Sequence, residues 1–492
     1  MAPAVCFSLH LATHARYGYF RDELYYLACG RRLAWGYVDH PPFTPAVARL
    51  IEQTVGPSLL GLRIVPALAI ATTALMAGLM ARRMGGGRVA CLIAGLCVAM
   101  SPAYLSLGTF LSVNAFDLVA WAAGQWVVLC WLQDRRPVQW ILLGGILGLG
   151  LLNKYTVLFL GVGLAAGVLM TPQRSVLKSA WPWIAVAVAL LIVLPNLMWQ
   201  AAHGWPTVEF LRNIRADKNY PVNPIEFAAM QFAVLHPVIF VYAVIGLVGL
   251  FRTAALKPYR LFGWSYLTVF VILMSQHAKF YYLFAAYPVI FAAGGIVLER
   301  WTSERRRRIG VLFGALIVLT VPTWPYAVPL LPIKTFDRYN AAIQIQHHLR
   351  FEKHRRPSQP IVFSDMIGWP ELAARVGERF EQLPAADRRQ CVILCADYGV
   401  AGAVEMFDRD RGLPEPVAPH NSYYLWGPGQ RPWTVVLAVG FDAATLERYF
   451  ADVRRLDTVT NRYARESPVS IHLCRQPLRS RAAIFQALKR FR

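Results

Sequence analysis

Charge is scarce in this sequence. Only 16% of its 492 residues are Asp, Glu, Lys or Arg, while 56% are hydrophobic. A soluble globular protein carries about 25% charged residues, so the chain as a whole does not read as soluble. Acidic residues are the scarcer sign, and the formal net charge is +22. Nucleic-acid binding needs basic residues gathered on one soluble face. Here much of the basic charge sits in short clusters between apolar runs, the pattern of topology signals and anionic headgroup contacts. No nucleic acid is expected as a partner. Cysteine is sparse too, with eight in the chain and no metal-ligand spacing. Cys91, Cys97 and Cys130 lie in apolar segments and read as inert thiols. Cys391 and Cys395 share a face of a strand about 13 Å apart, too far for a disulfide. An internal repeat is also missing, the tail after residue 330 shows no Gly-rich phosphate loop and no nucleophile elbow, and the GPG at 427–429 reads as a turn. A cleavable signal peptide is not evident. Residues 1–14 are too short for the roughly 20 residues a span needs, so they read as a short anchor or the tail of a longer helix.

Long apolar runs fill residues 60–330, and 331–492 reads as a soluble α/β domain. The expected division is thus a multi-span membrane domain, 1–330, followed by a soluble domain, 331–492. Spans are expected near 62–81, 89–104, 115–132, 138–152, 156–170, 181–199, 228–250, 261–276, 283–298 and 309–326. In the tail, IVFSD, CVILCADYG, WTVVLAVG and VSIHLC read as strands, and 370–383 and 442–455 as helices.

Basic residues orient the spans, because cytoplasmic loops are enriched in Lys and Arg. Reading 138–170 as two helices puts Arg174, Lys178, Arg252, Lys257, Arg260, Arg300 and Arg305 to Arg308 inside. These are ten basic residues, against Arg212, Arg215, Lys218 and Lys279 outside. A single span there would reverse the bias. The outside segments become 15–61, 105–114, 153–155, 200–227, 277–282 and 327–492.

Those segments hold the residues that can do chemistry. The first reads YGYFRDELYYLACGRRLAWGYVDHPPF and carries Asp22, Glu23, Asp39 and His40. Adjacent carboxylates at a helix start can simply cap it. One of them can also take a proton from an attacking hydroxyl, and partial desolvation raises a carboxylate pKa toward that task. Asn114 and Asp117 open a span, either as caps or as functional charges at the membrane edge. Lys154 stands in NKY between two apolar helices, as a snorkelling or an anion-binding lysine. Lys279, Tyr281 and Tyr282 lie in the turn HAKFYY, which suits either an aromatic belt or a lipid phosphate. The segment 200–227 adds Arg212 and Arg215 as candidate substrate contacts, with His203, Lys218 and Tyr220 nearby.

In order along the chain come DE, DHPP, SPAYLSLGTFLSVNAFD, LGLGLLNKYT and the Lys-Tyr turn before a span that ends in a basic cluster. This series resembles the bacterial family 39 glycosyltransferases, related to the protein O-mannosyltransferases and to the aminoarabinose transferase of lipid A. The resemblance covers roughly 15–430. It implies a GT-C fold: an α-helical polytopic membrane protein with a C-terminal extracytoplasmic α/β domain in the bacterial inner membrane. It also implies transfer of a hexosyl or pentosyl group from a polyprenyl-phosphate donor to a cell-envelope acceptor, with inversion. By the same resemblance Asp22 and Glu23 match the acidic pair, with Asp22 as the catalytic base. His40 stands where the aminoarabinose transferases carry a phosphate-binding lysine. Lys279, Tyr281 and Tyr282 match the donor-phosphate turn, and Asp117 the acid that opens a later helix. The tail does not resemble the sugar-binding repeats of the eukaryotic enzymes. No cofactor is specified, and a divalent cation stays open. The alternative is a membrane transporter or lipid-handling protein without catalysis.

Overall fold

The structure is a computed structural model. It describes residues 1–217, 223–302, 306–343, 359–408 and 411–492, with backbone alone for 215–217 and 306. Lys218, Tyr220 and Arg305 lie outside the described residues. The chain divides into two compact units, each drawn from several stretches.

The first unit takes in Met1–Arg16, Ser58–Met198 and Pro221–Pro332. Its elements are helices although glycines and the prolines Pro66 and Pro195 stand inside them, because an apolar segment in lipid must satisfy its own backbone N–H and C=O groups. Among the described residues four helical stretches are long and apolar enough to cross a membrane: Leu59–Arg83, Val113–Asp134, Trp181–Ala202 and Arg307–Tyr326. The number rises to eight if each bent helix pair counts as one span. Large apolar side chains such as Leu191, Met198 and Val318 stand exposed on outward faces. In water they would be a liability, whereas lipid is as apolar as they are.

The expected break within 138–170 is present, whereas three expected single spans are bent helix pairs. The span 89–104 is Arg88–Ala99 with Pro102–Gly108, bent by 59°, 283–298 falls on Phe280–Ala286 with Pro288–Thr302, bent by 60°, and the third is 228–250. The region 138–170 does form two helices, Val138–Leu151 and Val157–Leu169. At 14 residues the first rises only about 21 Å, short of a roughly 30 Å hydrocarbon core. The expected span 228–250 is not one helix. It is Pro224–Leu235 and Pro237–Arg252, bent by 112°. The cause lies at His236, whose φ is +89° and which precedes Pro237. Proline disfavours the helical conformation of the residue before it. The His236 ring then accepts the Val238 backbone N–H at 3.3 Å and caps the second helix.

The second unit takes in Tyr17–Pro57, Trp199–Tyr220 and Ile333–Arg492. The division therefore differs from one cut near residue 330, because Tyr17–Pro57 and Trp199–Tyr220 group with the tail. The reason is hydrophobic. The helix Arg21–Arg31 buries Leu24, Tyr25, Ala28 and Cys29 in the same core as Trp369, Val376, Ile393 and Leu437 of the tail. The tail sheet has four strands, β1 (Val392–Cys395), β2 (Val435–Val439), β3 (Phe450–Val459) and β4 (Val469–Pro477), in the order β1-β2-β4-β3. β1 and β2 are parallel, and β4 runs antiparallel to both β2 and β3.

Three of the four expected strands are present. IVFSD is instead a helical turn, Ile361–Ser364, entered from Pro360. The stretch 442–455 is a short helix, Ala443–Glu447, followed by β3. β3 is an edge strand that carries Asp452, Arg454, Arg455 and Asp457. Charge on an edge strand discourages pairing with other chains, and it also hides the alternation by which a strand is recognised.

Candidate active site

The ionisable groups expected to act gather in two clusters, one in each unit. In the first unit Ser112 caps the helix Val113–Asp134, its hydroxyl accepting the Asn114 N–H at 3.3 Å. Neither Asn114 nor Asp117 is needed as the cap. Asp117, one turn further in, is buried and accepts from the Lys154 ammonium at 3.2 Å and from the Thr156 hydroxyl at 3.0 Å. Lys154 also donates to the Asn114 carbonyl oxygen at 2.9 Å. The break between Val138–Leu151 and Val157–Leu169 is held by its own sequence, NKYT. Asn153 donates to the Val113 carbonyl at 2.7 Å, and Tyr155 to Asn196 at 2.8 Å. Each of these four side chains thus has a partner on another helix or its entry.

The ammonium of Lys154 also lies over two rings of the next cluster member, 4.6 Å from the centroid of Tyr282 and 5.6 Å from that of Tyr281. Lys279 stands 6.0 Å from the Tyr281 ring. The structure therefore brings Asp117, Lys154, Lys279, Tyr281 and Tyr282 together, although they come from three separate stretches. Lys154 and Lys279 both lie over the Tyr281 ring, and among the described residues only Lys154 pairs with a carboxylate, which leaves a local excess of positive charge. One oxygen of Asp117, Oδ1, is buried with no hydrogen-bond partner among the described residues. An ammonium-rich cluster edged with phenols can hold a phosphate by charge and by hydrogen bonds.

In the second unit the acidic pair is divided. Glu23 is fully buried, and its carboxylate accepts the Phe20 backbone N–H at 2.8 Å, closing the first turn of Arg21–Arg31. That is the work of a capping side chain. Asp22 is half-buried, and its Oδ1 accepts the Tyr398 hydroxyl at 2.9 Å. Arg21 anchors the same turn, with Asp365 at 3.0 Å and Glu466 in direct contact.

Tyr398 is the first residue of the helix Tyr398–Phe407, which Asp397 caps by accepting from the Gly399 and Val400 N–H groups at 2.7 and 3.0 Å. This helix approaches Arg21–Arg31 closely at two glycines. A Cβ on Gly399 would stand 2.7 Å from Cγ of Arg21, and one on Gly402 3.0 Å from Cβ of Leu24. The Tyr398 ring stacks on Tyr25 at 4.5 Å and leans on His420 at 5.0 Å. Tyr25 in turn donates to Asp39 at 2.9 Å, and Asn421 donates to the other oxygen of Asp39 at 3.1 Å. Burial raises the Tyr398 phenol well above its ordinary pKa, and the nearby charge of Asp22 adds to the effect. Burial does the same for Tyr25, with Asp39 as the neighbouring charge. Both hydroxyls keep their protons at neutral pH and donate.

His40 is buried inside a cage of Tyr25, Tyr26 and Tyr37, with ring centroids at 5.5, 5.0 and 4.8 Å. Its Nδ1 lies 3.0 Å from the Pro41 carbonyl. This is the setting of a packed core histidine rather than of an open phosphate contact. Arg212 is exposed on the helix Pro206–Asp217, and the Arg215 side chain is outside the described residues. Among the described residues no group of three or more His, Cys, Asp and Glu is placed to hold a metal ion. All eight cysteines are free thiols.

Sequence reasoning missed Thr156, Asn196, Tyr398 and Asn421. Asn196 carried a signal, as an amide inside the apolar run LIVLPNLMW. Tyr398 carried only a weak one, the polar break ADYG after a strand.

A helical membrane unit with charges at its helix ends, in one chain with a small α/β unit, is the GT-C architecture. Comparison with known proteins agrees. The model of the dolichyl-phosphate-mannose-protein mannosyltransferase family matches residues 39–199. That stretch holds Asp39, His40, Asp117 and Lys154, but neither Asp22 nor Lys279. The lipid A galacturonosyltransferase RgtD of Rhizobium johnstonii is 28% identical over 289 residues, covering 58% of this chain and 60% of that protein. The chain is thus matched to less than two thirds of this relative's length. The structure of ArnT from Cupriavidus metallidurans bound to undecaprenyl phosphate superposes with a TM-score of 0.61 at 14% identity, covering 96% of both chains. The Archaeoglobus fulgidus oligosaccharyltransferase, in complex with Zn and sulfate, gives 0.51 at 13% identity, over 85% of this chain and 62% of that one. Over residues 39–199 the chain is thus similar to the protein mannosyltransferase family, and its fold is similar to that of ArnT.

Proposed function

We propose that this protein is a membrane glycosyltransferase. It transfers a sugar from a polyprenyl-phosphate-linked donor to an acceptor of the bacterial cell envelope, a lipid, glycan or protein, with inversion at the anomeric carbon. The gathering of Lys154, Lys279, Tyr281 and Tyr282 around Asp117 carries this reading. It supplies excess positive charge and phenol groups at helix ends, the chemistry a lipid phosphate needs.

The acceptor oxygen attacks the anomeric carbon as the bond from that carbon to the phosphate oxygen breaks. The bonding pair leaves with the lipid phosphate, and the lysines stabilise the resulting dianion. The acceptor's proton passes to Asp22, a half-buried carboxylate held by Tyr398. Phosphate is a good leaving group, so the reaction gains more from a base than from an acid. Glu23 supports the turn that presents Asp22.

The reaction runs on the extracytoplasmic side of the inner membrane, and the tail lies on that side. The ten-to-four basic bias of the loops supports this orientation. A reporter fused after residue 330 is expected to be active only in an oxidising, extracytoplasmic compartment. The activity itself is tested with purified protein, a polyprenyl-phosphate sugar and envelope extract. Release of free polyprenyl phosphate is expected to depend on the acceptor fraction, and a transporter would release none.

A further inference from the structure

We infer that Tyr398 is the positioning residue for Asp22, so the α/β tail is a working part of the acidic site and not a separate binding module. The inference rests on Asp22 being the base proposed above.

Three observations within the second unit carry it. The first is the hydrogen bond itself, 2.9 Å from the Tyr398 hydroxyl to Oδ1 of Asp22. The second is that the ring cannot wander. It is stacked on Tyr25 at 4.5 Å and leans on His420 at 5.0 Å. His420 is itself tied down, its Nδ1 accepting the Tyr398 N–H at 3.3 Å and its Nε2 3.0 Å from the Arg492 carbonyl. The third is the backbone beneath the ring. The Asp397 cap sets where the helix begins, and Gly399 and Gly402 let it lie against the helix that carries Asp22.

A second pairing repeats the arrangement. Asp39 receives Tyr25, from its own segment, and Asn421, from the tail. The Ser422 backbone N–H donates to the Tyr25 hydroxyl at 3.0 Å, so the tail also sets the direction of that phenol. Both half-buried carboxylates of the first segment are thus aimed by groups of the tail. A donor fixed on a carboxylate does two things. It selects one rotamer, and it stabilises the ionised form through a charge-assisted hydrogen bond.

Removing the hydroxyl therefore leaves a signature that lost packing does not. In Tyr398→Phe the acidic limb of the kcat profile is expected to move up by about one pH unit. The kcat itself is expected to fall roughly 10-fold. The KM for the lipid donor should stay as in wild type, since Asp22 is not assigned to the phosphate. Tyr423→Phe is the matched control. Its hydroxyl donates to Glu405 at 2.9 Å, in the same unit, and its loss should leave the limb in place.

The isosteric 3-fluorotyrosine at position 398 keeps the ring packing and makes the phenol a stronger donor. It should move the limb the other way, to lower pH, even if Tyr398→Phe folds poorly. An unmoved limb in the fluorinated protein overturns the inference. Asp22→Asn separates this failure from the wider one. If that variant is inactive while the limb stays put, Asp22 remains the base and Tyr398 is only packing. If that variant is fully active, the base assignment itself falls.

Discussion

Lys154 and Asp22 are both ionisable groups held by neutral and charged neighbours, but their neighbours come from very different distances along the chain. Lys154 meets Asp117 and Asn114, 37 and 40 residues away, at the ends of nearby apolar helices. Asp22 meets Tyr398, 376 residues away, across two packed helices of the second unit. In the first unit the hydrophobic spans set the helix ends, and charged residues at those ends meet as a result. In the second the carboxylate depends on a fold assembled from both ends of the chain. The lysine cluster can thus be read as a list of suspicious residues, whereas the partner of Asp22 needs the tertiary structure.

The comparison breaks most visibly at Asp22. Asparagine keeps the size and the cap quality of aspartate, so Asp22→Asn should fold normally and lose about 10²–10⁴-fold in turnover. Transfer assays beside melting temperatures check this, and near-normal activity would return Asp22 to a structural role. The corresponding change in the first cluster should act on stability. Asp117→Ala leaves the largely buried Lys154 without its counter-charge, which costs about 3–5 kcal/mol. Detergent melting curves read that loss, and an unchanged curve would mean the pair is solvated.

Lys279→Ala should be milder. Among the described residues Lys279 pairs with no carboxylate, so its loss should leave the fold intact and weaken donor use by about 1.5–3 kcal/mol. The check is the donor concentration needed for half-maximal rate, with Tyr282→Phe alongside. The smallest effect belongs to Glu23. Glu23→Gln weakens one capping bond and should cost about 1 kcal/mol of stability with turnover close to wild type. A collapse of turnover in Glu23→Gln at normal stability would mean that the acidic pair is not divided.

The same contrast explains what was legible in advance. Asp117, Lys154, Lys279, Tyr281 and Tyr282 could each be singled out, because a charge or phenol beside a long apolar run is costly and stands out. That they form one cluster could not be read, because helix packing decides it. The split between Asp22 and Glu23 depends on which side chain turns back to Phe20, and composition is silent on that. His40 stood out by its place before Pro41 and Pro42, yet three tyrosines wall it in. The bend at His236 was available from the His-Pro step inside an apolar run and was outweighed by the run's hydrophobicity. β3 was hidden by its own charges.

The central claim is that the two clusters have separate tasks, one for the donor phosphate and one for the acceptor proton. Its most direct test is the donor Kd of the inactive Asp22→Asn protein, measured beside that of Lys279→Ala with the same lipid. The account predicts wild-type affinity for Asp22→Asn and roughly 10-fold or greater weakening for Lys279→Ala. Equal weakening in both variants, or tight binding in Lys279→Ala, would contradict it.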